Sequence, residues 1–139
     1  MDKNSKEKYK YKHVMLVDDN ELDNYINKKT LELAFFCKNV YMSTSSKNAL
    51  EFLHNLELTS EVSSAIYPQL IFIDLNMPVI DGFKFLEQFL KLKNDNVKKC
   101  KLIILTSSVY PDDRKKANSL HNNITFLNKP LTIQMLKNI

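Results

Sequence analysis

The sequence predicts an α/β domain, a parallel sheet of five strands with helices on both faces. Three observations carry that reading. Four short apolar runs recur along the 139 residues, three of them continuously apolar, the pattern of strands covered on both faces. Helical patterns separate the runs, giving the order β-α-β-α-β-α-β-α-β-α, whose crossovers are right-handed. Each run ends in polar residues, and in open parallel sheets ligands bind outside the carboxyl ends of the strands.

The first strand is Val14-Met15-Leu16-Val17, ending at Asp18-Asp19. The helix Glu21 to Phe36 follows, with Leu22, Ile26 and Leu33 among good helix formers. Asn39 to Ser43 reads as a weaker edge strand. Ser46 can cap a helix running to Leu58, in which Ala49, Leu53 and Leu56 recur at i, i+4 and i+7. The Ser- and Thr-rich stretch Glu57 to Pro68 is expected to be a long surface loop, a tolerated insertion rather than a binding loop. Leu70 to Ile73 is the third strand and ends at Asp74.

Gly82 to Leu92 carries Phe83, Leu86 and Leu90 with Phe85 and Phe89 alongside, a helix with a wide apolar stripe. Leu102 to Leu105 is the fourth strand and ends at Thr106. The helix Asp112 to Leu120 has an acidic first turn that suits the helix dipole, but few apolar positions. Ile124 to Leu127 is the fifth strand, followed by Asn128-Lys129-Pro130, and Leu131 to Ile139 gives a last short helix.

Hydrophobic residues make up 44% and charged residues 26%, the balance of a soluble globular domain, which excludes disordered, collagen-like and low-complexity classes. No apolar run approaches the ~20 residues a membrane span needs, and the polar stretch Met1 to Lys12 lacks the apolar core of a secretory signal. A cytoplasmic protein with no membrane partner is expected. The net charge of +4 sits mostly in residues 1–12, which hold five lysines against Asp2 and Glu7 and read as a flexible tail ahead of a domain over 13–139. Arg114 is the one arginine among 20 basic residues. Sequence-specific nucleic-acid readers lean on that planar fork, so no such partner is expected. Cys37 and Cys100 lie far apart with no CxxC pair, and His13, His54 and His121 are isolated, so neither a zinc site nor a disulfide framework is indicated.

The carboxyl ends of four strands deliver Asp18-Asp19, Asp74, Thr106 and Lys129 to one edge of the sheet. Three carboxylates gathered there repel by about 4 kcal/mol per pair at an effective dielectric near 20 and a separation of about 4 Å. Lys129 offsets part of this. The oxygen-only ligand set fits a hard divalent cation that keeps some of its waters, most simply Mg2+. A carboxylate beside Mg2+, a lysine and a threonine hydroxyl reads as a phosphoryl-transfer site in which Asp74 attacks phosphorus. Lys129 and the metal then neutralise the oxygens, and Thr106 donates a hydrogen bond.

The run Phe72-Ile73-Asp74-Leu75-Asn76-Met77-Pro78-Val79-Ile80-Asp81-Gly82-Phe83 resembles the phosphoacceptor segment of two-component response-regulator receiver domains. Val17-Asp18-Asp19-Asn20, Leu105-Thr106-Ser107-Ser108 and Asn128-Lys129-Pro130 match the family's other motifs in order and approximate spacing, so the resemblance covers residues 13–139. It implies the flavodoxin-like strand order 2-1-3-4-5. It also implies that Asp74 is the phosphorylated aspartate and that Asp18 and Asp19 hold Mg2+, with Asp19 as the direct ligand. The main-chain carbonyl of Asn76 would complete the protein's share of the metal shell. Lys129 and Thr106 would contact the phosphoryl group, Phe126 would be the switch aromatic, and Lys129-Pro130 resembles the family's cis bond, which aims the lysine at Asp74.

The function implied is that of a signalling receiver rather than an enzyme with an external substrate. A sensor histidine kinase or histidine phosphotransfer protein would supply the phosphoryl group. An output protein would read it on the surface of the fourth helix, fifth strand and fifth helix, with the receiver a monomer or weak dimer. The chain ends at Ile139, so the last helix is short for the family and output is expected to run through another molecule. The alternative is an aspartate-nucleophile phosphatase of the haloacid-dehalogenase type, which resembles a strand followed by DxD. Here Asp74-Leu75-Asn76 puts an amide where that family has its general acid, and an amide cannot protonate a leaving group. Gly82, the one glycine, implies either a positive φ or close packing at the start of the third helix.

Overall fold

The computed structural model describes residues 8–58, 65–92, 95–121 and 124–139. The strands are β1 (Tyr11–Val17), β2 (Cys37–Ser43), β3 (Leu70–Ile73), β4 (Lys101–Thr106) and β5 (Thr125–Asn128). The five expected helices are α1 (Glu21–Leu33), α2 (Ser46–Leu58), α3 (Gly82–Leu90), α4 (Pro111–Leu120) and α5 (Ile133–Lys137). A further five-residue helix, Asp95–Lys99, precedes β4 and was not expected. All strand pairs are parallel, in the order β2-β1-β3-β4-β5, with β2 at an edge.

The apolar runs are continuous because successive residues enter opposite cores. Met15, Val17, Ile71, Ile73, Leu102 and Ile104 pack under α2, α3 and α4 through Ala49, Leu53, Phe85, Leu86, Phe89 and Ala117. Their alternates Val14, Leu16, Leu70, Phe72, Ile103 and Leu105 pack under α1 and α5 through Leu31 and Leu136. Each start of α1, α3 and α5 is set by a capping side chain: Asn20 accepts from the Asp23 N–H, Asp81 from the Lys84 N–H and Thr132 from the Met135 N–H. Proline opens α4, where its missing N–H costs nothing.

The structure differs from the sequence expectations in the first strand and the first helix as well. The strand β1 starts at Tyr11, two residues inside the stretch expected to be tail, and the Tyr11 ring packs 5.2 Å from that of Phe36. Residues 1–7, and residues 59–64 of the expected surface loop, lie outside the described residues. The apolar residues of α1 do not face the core. Leu22, Ile26 and Leu33 are exposed, while Asn24, Asn27 and Leu31 are buried. The cause is polar: the buried Asn24 amide donates to the carbonyls of Asp18 at 2.9 Å and Ser43 at 3.3 Å, which fixes the rotation of the helix. The helix ends early because Phe35 adopts φ 49, where its N–H and that of Phe36 close back onto the carbonyls of Glu32 and Leu31.

Candidate functional site

The backbone ladder continues one step past β1, β3 and β5 and so delivers the site. The Asp18 N–H donates to Ser43 O at 3.1 Å, the Asp74 N–H to Val17 O at 3.0 Å and the Lys129 N–H to Thr106 O at 2.8 Å. These bonds tie the end of β1 to β2, of β3 to β1 and of β5 to β4. Lys129-Pro130 is cis.

Asp18, Asp19 and Asp74 each offer a carboxylate oxygen within 4.8 Å of the others, with Asp18 and Asp74 buried and Asp19 exposed. Lys129 enters from β5 and donates to Asp18 Oδ2 at 2.7 Å and Asp23 Oδ2 at 2.9 Å, while its Nζ stands 3.7 Å from Asp74 Oδ2. Asp18 is held from its other oxygen by the Asn20 N–H at 2.9 Å. Thr106, fully buried, accepts the Ser108 N–H at 3.2 Å. Asn76 is exposed just past β3 and meets the Asp74 carboxylate through its main-chain N–H.

Burial raises the Asp74 carboxyl above its ordinary pKa of 3.8; the Asp18 charge adds to this, while Lys129, the Asn76 N–H and the Thr106 hydroxyl oppose it. Burial by itself would lower the Lys129 ammonium. Its hydrogen bonds to Asp18 and Asp23 and the charge of Asp74 outweigh that and hold it above its ordinary value, so it stays charged. Among the described residues Asp74 Oδ1 is buried with no hydrogen-bond partner. An orphaned carboxylate oxygen beside two more carboxylates, with oxygen donors only, is the donor set of a hard cation, and the residues present fit Mg2+.

The structure therefore brings together Asp18, Asp19, Asp74, Thr106 and Lys129. Phe126 lies outside this group. It pairs in register with Ile104 and is half-buried, with the Arg114 guanidinium 4.9 Å above its ring. Asp23 is a site residue the sequence reading missed: an acid in the first turn of α1 reads as a helix-dipole residue. Its usable signal was position, since that turn directly follows Asp18-Asp19 at the carboxyl edge.

A doubly wound five-stranded parallel sheet with carboxylates, a lysine and a threonine at the carboxyl ends of its strands is the architecture of a receiver module. Residues 14–139 match the family described as the response regulator receiver domain, and the chain belongs to that family. It is 27% identical over 124 residues to the probable methanogenesis regulatory protein FilR2 of Methanothrix harundinacea, spanning 89% of this chain and 76% of that protein. A two-component response regulator from Cytophaga hutchinsonii superposes with a TM-score of 0.80 at 27% identity, covering 91% of this chain and 92% of the other. The phosphorylated cyanobacterial phytochrome response regulator RcpA gives 0.70 at 25% identity, covering 92% and 87%. The family assignment lends no support to the phosphatase alternative. Among the described residues no helix is long and apolar enough to cross a membrane.

Proposed function

We propose that this receiver accepts a phosphoryl group on Asp74 from the phosphohistidine of a sensor kinase or histidine phosphotransfer protein. The observation that carries the proposal is the buried Asp74 Oδ1, without a hydrogen-bond partner among the described residues, in the cluster formed with Asp18, Asp19, Lys129 and Thr106. A carboxylate oxygen that is buried and not engaged in a hydrogen bond keeps its lone pairs available to attack phosphorus. As that oxygen bonds to phosphorus, the phosphorus–nitrogen bond of the donor breaks and its electron pair leaves with the imidazole. Lys129 holds charge on the phosphoryl oxygens and Thr106 donates a hydrogen bond to one of them. Water later attacks phosphorus, returning the Asp74 carboxylate and free phosphate.

Asp18, Asp19 and Asp74, with the main-chain carbonyl of Asn76, would hold Mg2+, Asp19 as the direct ligand. Bound there, the ion supplies charge neutralisation for the phosphoryl oxygens. The phosphodonor docks on α1, where Leu22, Tyr25 and Ile26 are 64%, 56% and 48% exposed on the helix whose Asp23 reaches into the pocket. Output leaves by the α4-β5-α5 surface, where Phe126 sits beneath Arg114. The reading places the protein in the cytoplasm as a monomer or weak dimer.

The test pairs two assays. Acetyl phosphate with Mg2+ is expected to label the protein stoichiometrically, and the label to be lost in Asp74→Asn. Multiple turnover of a generic phosphomonoester, abolished by the same substitution, would instead make the protein a phosphatase.

A further inference from the structure

Lys129 has three ammonium protons, and two are committed away from the phosphoacceptor. They go to Asp18 Oδ2 at 2.7 Å and Asp23 Oδ2 at 2.9 Å, whereas Asp74 Oδ2 at 3.7 Å is beyond hydrogen-bond range. The two acceptors are unequal. The Asp18 side chain is 6% exposed and that of Asp23 is 37% exposed, so only Asp23 can exchange the lysine for water at low cost. Asp23 is also firmly placed, because its N–H is capped by Asn20 Oδ1 at 3.0 Å in the first turn of α1.

We propose that Asp23 is a positioning residue that holds Lys129 in reserve, so that phosphorylation of Asp74 must break the Lys129–Asp23 bond. This rests on Asp74 being the phosphoacceptor. In the resting pocket Asp23 and Asp74 compete for one ammonium, and Asp23 holds it. A phosphoryl group on Asp74 brings added negative charge and turns the competition. Asp23 thereby subtracts from the driving force of phosphorylation and sets how readily the receiver is marked.

The substitution Asp23→Asn keeps the size of the side chain and the capped N–H but removes the charge that retains the lysine. Labelling by acetyl phosphate should then quicken roughly fivefold, the scale of one partly exposed ion pair. Removing a carboxylate also eases the approach of any anionic donor, so two controls separate the causes. Glu21→Gln removes an exposed acid from the same turn and should leave the rate unchanged. In a Lys129→Gln background, Asp23→Asn should have no effect. A gain that persists without Lys129, or an equal gain from Glu21→Gln, would overturn the proposal.

Should Lys129→Gln abolish labelling altogether, a crystal structure of metal-free Asp23→Asn decides. Lys129 Nζ should close on Asp74 from 3.7 Å to hydrogen-bond distance, and an unchanged separation would contradict the proposal. Labelling of Asp74→Asn would instead refute the phosphoacceptor reading itself, whereas wild-type labelling with an unaltered Asp23→Asn rate refutes only the role of Asp23.

Discussion

A side-chain carbon on Gly82 would stand 2.4 Å from the main-chain oxygen of Asp74 and 2.9 Å from the Cα of Leu75. Both are backbone atoms, unable to swing aside. The Gly82 N–H also donates to Leu75 O at 3.1 Å, so the first turn of α3 is pressed against the loop that aims the phosphoacceptor. The one glycine of the chain is there for space, since its φ is not positive.

Gly82→Ala is therefore expected to cost about 1–3 kcal/mol, the range for overpacking a fitted site, and to slow Asp74 labelling by displacing the loop. Chemical denaturation and acetyl phosphate labelling measure the two effects. A variant with wild-type stability and labelling would contradict the packing argument.

The raised pKa of Asp74 gives a pH dependence of definite sign. Its carboxyl holds a proton more tightly in the folded protein than at its ordinary value of 3.8, chiefly because it is buried. For such a group stability is greatest below the unfolded pKa and falls as pH rises through the folded pKa. Ionised Asp74 thus burdens the metal-free fold at neutral pH. In urea melts with chelator, Asp74→Asn should exceed wild type in stability at neutral pH, the gap closing as pH falls below about 4. A gap independent of pH would mean that burial of the charge is not its source.

The exposed stripe on α1 predicts a split between donors. Leu22→Ser with Ile26→Ser should slow transfer from a cognate histidine phosphoprotein by about tenfold or more, as truncation of interface anchors does, while acetyl phosphate labelling stays unchanged. Equal loss with both donors would place the defect in the pocket and not on a docking face.

Besides Ala117 and the partly buried Leu120, the fourth helix meets its neighbours through two cationic side chains set over rings. Ala117 is its one buried residue, while Arg114 lies 4.9 Å from the Phe126 ring and Lys116 4.4 Å from that of Phe83. Contacts of this kind contribute about 0.5–1 kcal/mol each at exposed sites, so the helix is easily shifted. Beryllofluoride should move the amide resonances of Phe126 and residues 112–120 as well as those of the pocket loops. Changes confined to the loops around Asp74 would show that Phe126 does not carry the signal.

The three central strands were legible because burial on both faces leaves continuous apolar runs, and the candidate site was legible because those runs stop at Asp18, Asp74 and Thr106, with Lys129 just past the fifth strand. The orientation of α1 was not. Its apolar periodicity pointed inward, but the hydrogen bonds of Asn24 to Asp18 O and Ser43 O turn Leu22, Ile26 and Leu33 outward. Asp23 was hidden for a related reason: its partner Lys129 lies 106 residues away, and no local spacing records that meeting. Tyr11 was assigned to the tail because lysines surround it, although its ring packs on Phe36.

The central claim is that Asp74 alone is the phosphoacceptor and that a divalent cation is required. Intact-mass spectrometry after incubation with acetyl phosphate tests it most directly. Wild-type protein with Mg2+ should gain the mass of one phosphoryl group, and protein with chelator, or Asp74→Asn with Mg2+, should gain none. Labelling that survives the chelator, or that persists in Asp74→Asn, would contradict the account.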